Sequence, residues 1–104
     1  MTKNILLIGR TQPVLDDVIQ QLEIPELNLV GTTSLDGARA AMIANDVDHV
    51  IIGGGLDLHT RLAIIQEIFA ISSSTTVHLN SPSGPESFLP FASAVISGLK
   101  DLPS

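Results

Sequence analysis

Short apolar runs alternate along the chain with longer stretches in which apolar residues recur every three or four positions. Runs of the first kind are typical of strands buried in a parallel sheet. Stretches of the second kind are typical of helices that pack one face on such a sheet. The pattern predicts four strands, at residues 4–9, 27–32, 48–52 and 76–79. It predicts four helices between and after them, beginning at about Pro13, after Thr33 or Ser34, at Leu58 and at Ser87.

Residues that start helices stand where the predicted helices begin. Pro13 suits a first helical turn, with Thr11 or Gln12 just outside it, and Asp57 is interpreted as the cap of the third helix. Pro90 fits the last helix only within its first turn, where the missing N–H of proline costs little. We therefore expect the order βαβαβαβα.

This alternation predicts one α/β domain that spans residues 1–104. Parallel strands joined by helices require right-handed crossovers, and the spatial order expected for four such strands is 2-1-3-4. The expected architecture is an open parallel sheet of four strands with four helices, in three layers. A chain of this length forms one core, because two halves would each be too small to stand alone.

Composition and charge narrow the classes of function. Hydrophobic residues make up 44% of the chain, with three Phe and no Trp or Tyr, so the core must be aliphatic. The net charge of −6 repels phosphate backbones, and we expect neither a nucleic-acid partner nor membrane binding. The chain has no Cys, which removes thiolate chemistry and disulfides. No apolar run suits a signal peptide or a membrane span, so we expect a cytoplasmic protein.

Two segments resemble the receiver domains of response regulators. NILLIGR at residues 4–10 resembles their first strand, and DGARAAMIANDVDHVIIGG at 36–54 resembles the helix that leads into their third strand. The resemblance covers roughly residues 4–80 and implies a flavodoxin-like fold. The chain also resembles small stand-alone receiver-like proteins of uncharacterised role whose third strand ends in a triple glycine.

The residues that receivers use for phosphorylation do not match. The resemblance puts an acidic pair after the first strand, where this chain has Gly9-Arg10-Thr11, and a phosphoacceptor Asp where Gly53 stands. Ser81 matches the receiver Thr or Ser, but the receiver Lys and a fifth strand have no counterpart. Phosphoryl transfer to a carboxylate needs an Asp nucleophile and a metal clamp. We therefore expect a shortened receiver-like module that is not phosphorylated on Asp and is not an enzyme.

Three loops are expected to meet beyond the carboxyl ends of the strands, where open parallel sheets bind ligands. Glycine-rich turns before helices present N–H groups and a positive dipole end to anions, and Arg10 could add a bidentate clamp. The alternative is that the glycines only make tight turns with positive φ, since neither a dinucleotide fingerprint nor a P-loop is present. The candidate ligand-binding residues are Gly9, Arg10, Thr11, Gly53, Gly54, Gly55, Ser81, Ser83 and Gly84.

Three histidines invite a metal interpretation. His49 and His78 lie in predicted strands and His59 lies near a helix start, so a histidine site needs all three to converge from separate elements. A structural or surface role is the preferred interpretation. We predict no metal, no cofactor and no catalytic residue, and the G-x-S-x-G elbow of serine hydrolases is absent as well.

The third and last helices carry wider apolar faces than packing on one sheet requires. Without a fifth strand, the fourth strand is an exposed edge, and we expect a partner to cover it. A C₂ homodimer is the preferred interpretation, with another protein as a further possible partner; alternatively, the two helices pack on each other within one chain. The candidate interface residues are Ile65, Phe69, Phe88, Phe91 and Val95. The predicted function is a non-catalytic interaction module, with a small-anion or nucleotide-binding domain as the alternative.

Overall fold

The structure is a computed structural model that describes residues 3–82 and 84–101. Strands and helices alternate in the predicted order. They are β1 (Lys3–Ile8), α1 (Gln12–Gln21), β2 (Leu27–Thr32), α2 (Leu35–Ala44), β3 (His49–Ile52), α3 (Leu58–Ile71), β4 (Thr76–Leu79) and α4 (Phe88–Asp101), with a 3₁₀ turn at Pro85–Ser87 before α4. None of the helices in this described part of the chain has both the length and the apolar character needed to cross a bilayer.

The four strands form one parallel sheet in the order β2-β1-β3-β4, which confirms the prediction. β1 and β3 lie in the middle, with residues 5–8 beside residues 49–52. β2 and β4 are the edge strands. This open α/β sheet with helices on both faces is consistent with a flavodoxin-like fold.

Alternate side chains of β1 enter two separate cores. Leu6 and Ile8 pack with residues of α2 and α3 on one face, and Ile5 and Leu7 pack with residues of α1 and α4 on the other. All four side chains are buried, which explains why this part of the strand has no polar position. Because α3 and α4 lie on opposite faces, the alternative that these two helices pack on each other within the chain is wrong.

Local hydrogen bonds explain where the helices begin. The Oδ1 atom of Asp57 accepts a 2.7 Å hydrogen bond from the N–H of Thr60, and this bond holds the pKa of the Asp57 carboxyl below its ordinary value. Ser34 caps α2 by accepting a 3.0 Å hydrogen bond from the N–H of Gly37. Pro90 lies in the first turn of α4, as its chemistry requires.

Replacing Ile68 by Ala tests the packing of the face covered by α2 and α3. Ile68 on α3 is 0% exposed, whereas Ile43 on α2 is 71% exposed, so Ile43→Ala is a control with the same chemical change on a helix. We expect Ile68→Ala to lower the free energy of unfolding by about 2–5 kcal/mol, through lost burial and the cavity left behind. Ile43→Ala should change it by less than about 0.5 kcal/mol. Urea unfolding followed by circular dichroism measures both values, and equal losses would contradict this assignment of the faces.

Candidate functional site

A cleft of about 440 Å³ opens at the carboxyl end of the sheet, between the loops that follow β1 and β3. The chain turns from β1 towards α1 on one face and from β3 towards α3 on the other, so the two loops diverge and leave a crevice. Ile8 and Ile52 end their strands in register, and both loops therefore start at the same level. The cleft is lined by Gly9, Arg10, Thr11, Val14, Gly53, Gly54, Gly55, Gly84 and Phe88.

Most of the candidate ligand-binding residues lie at this cleft, but the two serines are exceptions. The candidates among the lining residues are Gly9, Arg10, Thr11, Gly53, Gly54, Gly55 and Gly84. Ser81 is exposed and is not among the lining residues that the structure describes. It follows β4, and β3 separates β4 from the β1 side of the cleft. Ser83 lies outside the described residues.

Two glycines of the cleft are required neither by backbone conformation nor by packing. No glycine within the described residues has a positive φ, so the alternative that the triple glycine makes a left-handed tight turn is wrong. A Cβ atom on Gly53 would lie 3.5 Å from Phe88, and one on Gly55 would lie 3.6 Å from Arg10, both ordinary contacts. Gly9 differs, because its Cβ would come within 3.0 Å of a side-chain carbon. The missing side chains at Gly53 and Gly55 therefore leave the cleft more open than the fold demands.

The charges around the cleft are mixed. Thr11 is the N-cap of α1, but its hydroxyl makes no capping hydrogen bond, and the first turn of α1 has no acidic residue. The N–H groups at this helix end carry partial positive charge. Arg10 is exposed, and it is the only residue with an ionisable side chain among the described lining residues, but the carboxylate of Glu86 lies against Gly84 at the same cleft. The arrangement can bind a small anion through an arginine and main-chain donors.

Some main-chain donors of the cleft are already used by the sheet. The N–H of Gly9 donates to the carbonyl of Thr32 at 3.2 Å, and the N–H of Gly53 donates to the carbonyl of Ile8 at 2.8 Å. These bonds extend the strand pairing by one residue. A ligand would therefore meet the amides that come later in each loop.

The described lining of the cleft does not provide the groups that catalysis uses. It holds the Thr11 hydroxyl and the Arg10 guanidinium, and no carboxylate or imidazole belongs to the described lining residues, although the Glu86 carboxylate lies against Gly84. General acid–base and nucleophilic mechanisms need such a base within hydrogen-bond reach.

Arg61 is a buried residue that the sequence interpretation missed. Its side chain is 7% exposed, and its Nη1 donates a 2.7 Å hydrogen bond to the carbonyl of Asn80, just past β4. Its Nε has no hydrogen-bond partner among the described residues. The sequence does contain a signal, because Arg61, Ile64 and Ile68 recur at helical spacing on the inner face of α3. The hydrogen bond ties α3 to the end of β4.

His49 and His78 lie against each other on neighbouring strands. His49 and Ile51 are two residues apart on β3 and so lie on the same face of the sheet. His78 of β4 is the strand partner of Ile51, and Ile51 belongs to the core under α1 and α4, so both rings lie on that face. His49 Nδ1 and His78 Nε2 are 3.2 Å apart. Burial lowers the pKa of both rings, and His78 and Lys3 lower that of His49 further. His59 is on α3, across the sheet, and no three acidic or histidine side chains form a metal-binding group within the described residues.

One side of α3 exposes large apolar side chains. Leu58, Leu62 and Phe69 are 63%, 51% and 52% exposed. Together with half-buried Ile65 they recur at the spacing of one helical stripe, which runs along the whole helix. Exposed apolar residues that stand singly are common, whereas a continuous exposed stripe is a feature typical of interaction surfaces.

This stripe lies on the side of α3 that points away from α2. Glu67 lies on the opposite side of α3 and pairs with Arg39 of α2 at 2.7 Å, so the stripe points away from α2. Leu79 of β4 is 48% exposed and points to the same face of the sheet, because its strand partner Ile52 belongs to the core under α2 and α3. We call this surface the apolar flank; it consists of Leu58, Leu62, Ile65, Phe69 and Leu79.

The candidate interface residues fall into three environments. Ile65 and Phe69 belong to the apolar flank. Phe88 is 4% exposed, packs in the core under α1 and α4, and lines the cleft. It is therefore a core residue, and the prediction that it lies at an interface is wrong. Phe91 and Val95 are half-buried on α4, on the other face of the sheet from the flank. The five residues therefore do not form one continuous surface.

The His49–His78 contact predicts that stability depends on pH. The pKa of each ring is lowered in the folded chain from an ordinary value of 6.5, so below that pH the unfolded chain binds more protons. We expect the free energy of unfolding to fall as the pH drops below about 6.5. His78→Gln should flatten this fall between neutral and mildly acidic pH, whereas His59→Gln should keep the wild-type slope. Urea unfolding at a series of pH values measures the slopes, and an unchanged slope in His78→Gln would be the contrary result.

Protein-family models, curated proteins and solved structures were compared with the chain, and none of them matches it. Open parallel sheets support many unrelated functions, so the fold alone does not assign one. What the chain binds is therefore inferred from its cleft, its apolar flank and its histidine pair.

Proposed function

We propose that this chain is a non-catalytic protein-interaction module that forms a homodimer through the apolar flank. The observation that carries this proposal is the exposure of Leu58, Leu62 and Phe69 along one side of α3, beside an edge strand. A second copy that covers this stripe of side chains would remove a large apolar area from water. Burial of apolar area is the main driving force of association.

The edge strand supports a second copy as the partner. The outer side of β4 presents unpaired main-chain groups, and two such strands related by a two-fold axis can pair with each other in antiparallel fashion. Leu79 of β4 lies on the same face of the sheet as the α3 stripe, so the same two-fold axis can bring two flanks together. Each copy carries a net charge of −6, but no member of the flank is charged, so the contact does not need to bury a charge.

The interpretation as a receiver-like module without phosphorylation is part of this proposal. The strand order 2-1-3-4 supports the likeness to receivers. The loops after β1 and β3 supply Arg10 and glycines to the cleft, where receivers use carboxylates, which supports the loss of phosphorylation. Such a module acts by binding, with no chemical step of its own.

A charge at Phe69 tests the dimer. Phe69→Glu places two carboxylates in the proposed contact, one from each copy, and removes two Phe side chains worth about 1.5–3 kcal/mol each on full burial. We expect the dissociation constant of the dimer to rise at least about 100-fold. Size-exclusion chromatography with light scattering at micromolar concentration measures the mass, which should change from dimer to monomer.

Ile43→Glu is the matched control for this test. Ile43 is 71% exposed, but it lies on α2 and outside the flank, so the variant should remain dimeric. A wild-type protein that is monomeric at micromolar concentration would overturn the proposal. A Phe69→Glu variant that stays dimeric would show that the contact lies elsewhere.

The cleft favours a second candidate function, the binding of a small anion or a nucleotide phosphate. The uncapped start of α1, exposed Arg10 and the two glycines that the fold does not require all support it. The cleft volume of about 440 Å³ lies within the range of small-molecule sites. This function and the homodimer do not exclude each other, because the cleft and the flank share no residue.

Loss of Arg10 tests the anion site. We expect millimolar phosphate or ATP to raise the melting temperature of the wild-type chain, since a ligand that binds only the folded state stabilises it. Arg10→Ala should bind the same ligand about 10–100-fold more weakly, the loss expected for one charged hydrogen bond. Differential scanning fluorimetry with a ligand titration measures both effects.

Lys3→Ala is the control for charge alone. It removes the same charge at the amino end of the sheet, far from the cleft, and should keep the wild-type response to the ligand. Two results would refute the anion site: no rise in melting temperature with any of these anions, or equal losses in the two variants.

A further inference from the structure

The histidine pair lies where two strands present neighbouring side chains on one face. His49 is at the start of β3 and His78 is the third residue of the short edge strand β4. In the strand register His78 is opposite Ile51, two residues along β3 from His49, so the two histidines are diagonal neighbours on one face. Long and aromatic side chains can make contact across this spacing. Both residues are half-buried, so the backbone holds the pair in place while solvent still reaches it.

The separation of the two facing nitrogens matches a metal chelate. His49 Nδ1 and His78 Nε2 are 3.2 Å apart. Bonds of about 2.0–2.1 Å from a tetrahedral metal place two ligand nitrogens about 3.3–3.4 Å apart. The distance between the two nitrogens is therefore already close to that of a two-histidine chelate.

The chemistry of imidazole allows the same use. A neutral imidazole has one nitrogen with a free electron pair, which a cation can bind. In the present contact one ring donates a proton to the other. When a cation binds the two facing nitrogens, the remaining protons lie on His49 Nε2 and His78 Nδ1, and both rings stay neutral.

The charged groups near His49 act in opposite directions. Lys3 disfavours positive charge at His49, whereas Asp48 favours it. The net charge of −6 attracts cations to the chain as a whole. No third acidic or histidine ligand joins the pair among the described residues, so water would complete the coordination and leave positions open.

We propose that His49 and His78 together bind a divalent transition-metal cation, such as Zn²⁺, Ni²⁺ or Cu²⁺, on the face covered by α1 and α4. Two imidazoles and open positions suit these borderline cations better than Mg²⁺ or Ca²⁺, which prefer oxygen ligands. The site is independent of the homodimer proposal, because the apolar flank lies on the other face of the sheet.

Titration of the untagged full chain with Zn²⁺, and separately with Ni²⁺, tests this site. Isothermal titration calorimetry near neutral pH should show one cation bound per chain, and Mg²⁺ should not bind. Loss of even a residue that only orients a metal ligand costs about 10–100-fold in affinity, so His49→Ala and His78→Ala should each weaken binding at least about tenfold. His59→Ala should bind as the wild type does, because His59 is exposed and lies on α3.

A second readout covers the case in which a histidine variant fails to fold. The imidazole ¹⁵N resonances of His49 and His78 in the wild-type chain should shift on addition of Zn²⁺, while those of His59 should not. Mildly acidic pH should weaken binding, because protons compete for the same nitrogens. The proposal is overturned if millimolar Zn²⁺ and Ni²⁺ give no binding, if the three alanine variants bind alike, or if the His59 resonances shift instead.

Discussion

The pairing of β1 with β3 in the middle of the sheet is the constraint on which the rest of the structure depends. β1 is apolar on both of its faces, so the hydrophobic pattern alone does not fix its register: a shift by one residue would still bury apolar side chains on both sides. Polar contacts at the ends of the strands supply the missing information. Asn4 donates its N–H to Asp48 at 2.9 Å and its side-chain amide to the carbonyl of Asp46 at 3.0 Å. In this register the main-chain pairing extends one residue beyond β3, where the N–H of Gly53 donates to the carbonyl of Ile8 at 2.8 Å. The cleft forms where it does because this register brings the two loops to one level.

The sheet ends at β4, and this strand has different neighbours on its two faces. On the face of α2 and α3, both Leu79 and the stripe of α3 are exposed, and no described part of the chain covers them. On the other face, His78 meets His49. None of the four residues of β4 is buried, unlike most of β1 and β3. The apolar flank and the histidine pair therefore both involve the β4 edge of the sheet.

Much of the fold could be predicted from the sequence, because the relevant signals are local. The apolar runs of β1 and β3, the Asp57 cap and the place of Pro90 all depend on neighbours within a few positions. The cleft could be predicted as well, since alternating strands and helices imply the strand order and hence the place where the loops diverge. The position of α4 could not, because the handedness rule applies only to a helix between two parallel strands, and no strand follows α4 in the described chain. The wide apolar face of α4 therefore predicts a surface position for Phe88, which is buried in the structure. The His49–His78 contact depends on the register of β3 with β4, which sequence spacing does not reveal.

The floor of the cleft consists largely of main chain, because Gly53 and Gly55 carry no side chains and the strand pairing holds the start of each loop. Side chains lose rotamer freedom when they close around a ligand, and that loss opposes binding by about 0.5–1.5 kcal/mol for each mobile side chain. Glycines have no rotamers to lose. A molecule that enters this cleft would meet a main-chain surface whose shape is already set, and Arg10 is the one long flexible side chain among the described lining residues.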